Sequence, residues 1–221
     1  MKNYNTYLFE KQSEINKMKE DLLIDCSQFL KESKGKMFYR GVVRKLITDY
    51  EIWFPPKNRS PKDTDTKTHE EMNRLSEEKI GFKARNGVFT TMIIENAYLF
   101  AEDDTSKYDG DVYIFIPLDG YKYAYIPDID DFTNHVSNYA NFGMWQHWRM
   151  RLPEYQMMTI DELKNKYNEE RNDFLEDLSD NYKKTDMVDA GDAELSFICE
   201  AYYLVNYKYK DIIENLSLSL Q

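Results

Sequence analysis

Three short stretches carry side chains that can grip an anion, donate hydrogen bonds and stabilise positive charge: Tyr39-Arg40-Gly41, Phe89-Thr90-Thr91 and Asp192-Ala193-Glu194. An arginine supplies a planar, permanently charged fork suited to phosphate or carboxylate. Each stretch also has a plainer reading: Arg40 as a structural ion-pair partner, the threonines as β-formers, Glu194 as a solvated member of an acidic run. For Arg59 and Arg85 the plainest role is a loop ion pair. Other chemistries lack a signature. The chain has no GxxxxGK[ST] loop, no GxGxxG, no HExxH and no GxSxG. His69, His135 and His147 are too scattered to form a ligand set, and Cys26 and Cys199 fit no CxxC spacing. The segment from His135 to His147, with Trp145 and Trp148, is explained by packing as well as by base stacking.

The elements that must position these residues follow from periodicity. Ile15, Met18, Leu22, Cys26 and Leu30 recur at helical spacing, predicting one helix over 7–33 that stops at Ser33-Lys34-Gly35. Met37 to Val42 reads as a strand, and a second helical stretch is expected over Val43 to Tyr50. Residues 54–68 form a polar, proline-broken loop. Thr68 is the expected N-cap of a helix from His69 to Lys79 that Gly81 ends. Val88 to Thr91 reads as a strand, followed by a short helix towards Phe100. Val112 to Pro117 alternates as a half-buried strand does, with Tyr121 to Ile126 as its antiparallel neighbour across Leu118-Asp119-Gly120. Residues 128–185 are helical in tendency, with a capping box at Thr159. Leu195 to Cys199 and Tyr202 to Val205 return to strand character, and the last twelve residues read as peripheral.

Composition limits the function classes. A chain of 221 residues with 42% apolar and 15% aromatic residues has enough material for a core without disulfide or metal. The net charge of -11 disfavours nonspecific binding to nucleic acid or anionic lipid, while leaving open a local basic pocket or a DNA mimic. No apolar run approaches a membrane span, and the N-terminus lacks the apolar core of a secretion signal. A cytoplasmic setting with reduced thiols is expected. The organisation reads as one domain over 1–221: an N-terminal helix (1–35), the first half of a β core (36–127), a helical insertion (128–188), and closing strands with a tail (189–221).

Read in order, the three stretches resemble the arginine–serine/threonine–glutamate layout of ADP-ribosyltransferases. That layout has an aromatic-Arg-Gly strand, a Ser-Thr-Ser-like strand and an acidic-x-Glu before an apolar strand. The chain also looks like uncharacterised bacteriophage proteins that share an Arg-x-Pro-x-Asp-Thr loop, here Arg59-Ser60-Pro61-Lys62-Asp63-Thr64, then a Phe-Gly-x-x-Arg-like stretch, here Gly81 to Arg85. The resemblance implies an α+β fold with a bent split β core, an N-terminal helix and an inserted helical layer. It implies NAD as substrate, no metal, and a host macromolecule as target, in host cytoplasm or packaged in a virion. Cleaving the nicotinamide–ribose bond builds an oxocarbenium-like cation. Glu194 would stabilise that cation, Thr90 would orient the carboxylate, and Asp192 would prepare the nucleophile from the same face of an extended chain. Arg40, Gly41, Thr91, Phe89, Arg59 and Arg85 would hold the dinucleotide. The chain departs from the pattern in having Phe-Thr-Thr for Ser-Thr-Ser and Asp192 for the first Glu.

The other reading keeps the fold without catalysis. The protein is then an acidic interaction or virion-associated factor that binds a host protein through the carboxylates of 102–111, 126–131 and 169–192.

Overall fold

A computed structural model describes residues 4–43, 46–56, 64–101, 110–139 and 141–221. The chain begins with α1 (Tyr4–Asp25), α2 (Ser27–Glu32), β1 (Tyr39–Val42), β2 (Tyr50–Trp53), α3 (Thr66–Ile80), β3 (Val88–Thr90) and α4 (Ile94–Ala101). Next come β4 (Asp111–Pro117), β5 (Lys122–Tyr125) and four helices, α5 (Phe132–His135), α6 (Phe142–Arg149), α7 (Pro153–Gln156) and α8 (Ile160–Ser179). It closes with β6 (Leu195–Ile198), β7 (Tyr202–Asn206) and α9 (Lys210–Leu218). The fold is mixed α+β with two antiparallel sheets, and the chain forms two compact units. Unit one comprises Met1–Pro55, Thr90–Tyr121 and Cys199–Gln221; unit two comprises Pro56–Phe89 and Lys122–Ile198. Among the described residues no helix is long and apolar enough to cross a membrane.

Unit one is built on a four-stranded sheet in the order β1-β4-β7-β2. Its centre, β4, was expected to alternate, yet Val112 through Pro117 are all buried. A strand covered on both faces has no solvent side to alternate towards. The predicted 7–33 helix is instead two helices. The break falls at Cys26, and the carboxylate of Asp119 caps the new start by accepting from Gln28 N (2.9 Å) and Ser27 Oγ (2.8 Å). Met18, Leu22, Cys26 and Leu30 of the predicted stripe are buried. The helix expected over 43–50 is not found at its described positions; Tyr50 instead opens β2, in register with Val205. Local propensity loses there to an available strand edge.

The C-terminal residues are not peripheral. Helix α9 packs against α2 with Ile213 and Ser217 buried. Ser217 Oγ accepts from Gly35 N (2.7 Å) and lies 3.0 Å from Ser33 Oγ. Its hydroxyl also donates to Leu30 O, so one side chain satisfies the end of α2.

Unit two holds a three-stranded sheet in the order β3-β6-β5 and the facing helices α3 and α8. Strand β5 forms where expected but not as a hairpin with β4: it pairs with β6, Tyr123 opposite Phe197. The aspartate of the supposed hairpin turn is Asp119, which caps α2 instead. Helix α3 starts earlier than predicted because Asp65, not Thr68, is its N-cap, accepting from Thr68 N at 2.9 Å. Gly81 ends it in the left-handed region, φ +87°. The capping box of α8 forms as predicted between Thr159 and Glu162. The core joins Met72 and Leu75 of α3 to Ile126, Ile129, Phe132, Leu175 and Leu178.

A smaller core of Trp145, Tyr155, Leu163 and Tyr167 lies beneath α6 and α7. The carboxylate of Glu170 ties it together, accepting from Trp145 Nε1 (3.1 Å), Arg149 Nη2 (2.7 Å) and Tyr155 OH (2.5 Å). Burial works to raise its pKa, but the hydrogen bonds and the Arg149 charge outweigh that and hold it below the usual carboxylate range.

Two predictions follow from these contacts. Ser217→Ala leaves Gly35 N and the end of α2 without this partner, and urea unfolding should show a loss of about 1–3 kcal/mol. Because the Glu170 pKa is lowered on folding, its contribution is present above the unfolded value of about 4.3 and lost as pH falls through the lowered value. The difference in Tm between wild type and Glu170→Gln should therefore shrink as pH is taken from 6 to 3.

Candidate functional site

A cleft with chemistry around it lies within unit two. It has room for about one water molecule, with a volume of about 20 Å³. Arg85, Phe89, Phe132, Tyr182, Glu194 and Ser196 are among its lining residues. Arg85 Nη1 donates to Glu194 Oε1 at 2.7 Å, and the two side chains are only 12% and 9% exposed. The Arg85 guanidinium carbon lies over two rings, 4.1 Å from the Phe89 centroid and 3.9 Å from that of Phe132. Burial pushes the Tyr182 phenol up to about 12, so it is a neutral hydroxyl at physiological pH.

Local sequence explains why Arg85 is held so firmly. It sits on a single 3-10 turn, Ala84–Asn86, pinned on several sides. From α3, Asn73 Oδ1 accepts Arg85 N (3.0 Å) and Ser76 Oγ accepts Ala84 N (3.0 Å). Asn86 Oδ1 accepts from Asn73 Nδ2 (2.9 Å) and lies 3.2 Å from His69 Nε2. From β6, Ser196 Oγ donates to Ala84 O. Gly87 lets the turn press against β6: a Cβ there would lie 2.1 Å from Ser196 Oγ and 2.9 Å from Phe197 O. Glu194 is fixed from the other side, its N–H donating to Ile129 O at 2.7 Å.

The residues singled out from sequence divide accordingly. Arg85, Phe89 and Glu194 meet at this cleft. Asp192 does not follow the expected alternation with Glu194. It lies in the turn after Gly191 (φ +64°) and is exposed, because that turn ends the extended run on which the two-residue argument rests. Arg40, Gly41 and Thr91 belong to unit one. There Tyr39 and Thr91 exchange backbone hydrogen bonds at 2.7 and 3.1 Å, setting the Arg40 strand beside Thr91. Burial pushes the Cys199 thiol up to about 12, against the pull of the Arg40 charge. Thr90 is 3% exposed, and its hydroxyl finds no hydrogen-bond partner among the described residues. Arg59, with most of its loop, lies outside the described residues. Among the described residues no group of His, Cys, Asp and Glu is arranged to hold a metal.

Sequence reasoning passed over Asn73, Ser76, Asn86, Gly87, Ser196, Phe132 and Tyr182. Only the small-polar spacing of Asn73 and Ser76 on one face of α3 signalled a buried network; the rings come from separate segments and carry no local signal. Comparison with protein-family models, with curated proteins and with solved structures finds no match.

A double-mutant cycle tests the pair. Arg85→Met or Glu194→Gln alone strands a buried group and should cost about 3–5 kcal/mol in urea unfolding. The double variant should cost clearly less than the two together.

Proposed function

We propose that the chain is a mono-ADP-ribosyltransferase of the phage type, moving ADP-ribose from NAD to a host macromolecule, with the unit-two cleft receiving the nicotinamide end. One observation carries the reading: the cleft already holds a flat, delocalised cation over the rings of Phe89 and Phe132, with the Glu194 carboxylate against it. The nicotinamide of NAD is also a flat, delocalised cation, and a slot that suits one has the chemistry to suit the other. The residual space takes only about one water, so entry requires the Arg85 side chain to swing out. Once out, its fork is available to an anionic part of the ligand.

Further support comes from the placement of the motifs. The aromatic-Arg-Gly stretch is on β1, Phe-Thr-Thr runs along β3 and past its end, and Glu194 directly precedes β6, in two separate antiparallel sheets. The buried Thr90 hydroxyl, without a hydrogen-bond partner among the described residues, is unexpected for a plain β-former. In this reading Glu194 binds a ribose hydroxyl and faces the positive charge that develops as the ribose–nicotinamide bond breaks. Nicotinamide leaves with the bonding electrons, and the target's nucleophile attacks the ribose carbon and gives up its proton. Tyr182, neutral at physiological pH, is a hydrogen-bond donor to ligand oxygens.

Calorimetry with NAD and a nonhydrolysable analogue, then labelled NAD with host lysate, tests the proposal. Wild type should bind both and label a host component. Glu194→Gln, verified as folded by circular dichroism, should label about 100-fold or more weakly. Absence of binding by wild type, or undiminished labelling by a folded Glu194→Gln, overturns it.

A further inference from the structure

Six large apolar side chains stand exposed between residues 144 and 160: Met144, Trp148, Met150, Leu152, Met157 and Ile160. Met157 is 91% exposed and Trp148 51%. They lie on α6, on the residues flanking α7 and at the start of α8, in the same segment whose Trp145, Tyr155, Leu163 and Tyr167 form the small core that Glu170 ties together. A concentration of this kind marks an interaction surface more often than scattered single residues do. Three of the chain's ten methionines, at positions 144, 150 and 157, are among them. Methionine is the apolar side chain best able to remould itself around a partner.

Charge indicates what covers the face. Arg149 is neutralised by Glu170 at 2.7 Å. Arg151 is not neutralised: its guanidinium lies 4.7 Å from the Trp148 ring centroid and its Nη2 is 3.2 Å from His147 Nε2. It has no carboxylate partner among the described residues. In a chain of net charge -11, this leaves an uncompensated cation and a histidine beside an exposed indole. A partner that fits brings apolar anchors and carboxylates. Nucleic acid would bring negative charge to Arg151 but no apolar stripe to cover Trp148 and the methionines. A second copy docked face to face would bring a second Arg151 and His147 into the same interface.

We propose that the exposed face of α6 and α7 docks an acidic amphipathic helix of another protein, its apolar stripe on Trp148 and the methionines and its carboxylates on Arg151. The helix-in-groove mode supplies the chemistry: apolar anchors at helical spacing give affinity, and flanking charge gives register and on-rate. The inference is independent of whether NAD is turned over, because none of these residues lines the cleft.

The test pans a displayed library of random 16-residue peptides on the purified full chain and counter-selects on the Trp148→Ala/Arg151→Glu variant. These exposed substitutions should leave the circular dichroism unchanged. Peptides that survive should be net acidic, with apolar residues at i, i+3, i+4 and i+7. By fluorescence anisotropy, a synthetic copy should bind wild type about tenfold or more tightly than Arg151→Glu, and weaken with salt. Enrichment of basic peptides, enrichment indifferent to the variant, or no enrichment overturns the proposal. So does a concentration-dependent dimer in light scattering that Met157→Lys abolishes, since the occupant would then be a second copy.

Discussion

Burying an arginine and a glutamate together is costly, because each ion gives up its water. The effective penalty is several kcal/mol per charge, and mutual attraction offsets it only where geometry and remaining hydrogen bonds are good. Unit two is arranged around meeting that condition for Arg85 and Glu194. The guanidinium has a carboxylate at one nitrogen and lies over two aromatic rings, while the turn that carries it is anchored by Asn73 and Ser76 of α3 and by Ser196 of β6. Gly87 makes the last of these contacts sterically possible. Backbone position and side-chain contacts are thus controlled separately: amides and small polar groups hold the main chain, and aromatic faces with one ion pair hold the tip.

Unit one depends on a different force. Its central strand is apolar and buried from Val112 to Pro117, and Phe38, Phe115, Leu204 and Val205 are fully buried. Its polar contacts cap element ends, as Asp119 does at the start of α2 and Ser217 with Gly35 at its finish, or tie tyrosine hydroxyls to carboxylates, as Tyr203 is tied to Asp25 and Tyr50 to Asp21. Burial of apolar area needs no directional partner, so such a core tolerates rearrangement. The polar, aromatic cleft of unit two does not have that latitude, since a half-satisfied buried network costs more than an apolar one. This contrast is one reason to look for chemistry in unit two, and the small-ligand reading and the docking face of α6 and α7 both belong to it.

The sequence determined by itself whatever depends on neighbours a few residues apart. The buried stripe of α1 and α2, the capping box of α8, the left-handed stop at Gly81 and the strand at β6 were all legible, because helical and strand periodicities and caps are properties of a short window. Three residues of the cleft, Arg85, Phe89 and Glu194, were also visible as types. Only the tertiary structure decided which elements pair and what those residues touch. The hairpin read at Leu118-Asp119-Gly120 gave way to β5 joining β6, and the helix read over 43–50 gave way to the edge strand β2, since the energy of a strand pair resides in a partner far along the chain. For the same reason Phe132 and Tyr182, 47 and 97 positions beyond Arg85, left no trace in the pattern around it. Ring stacking and ion pairing act through space over a few ångströms, and sequence spacing carries no record of that distance.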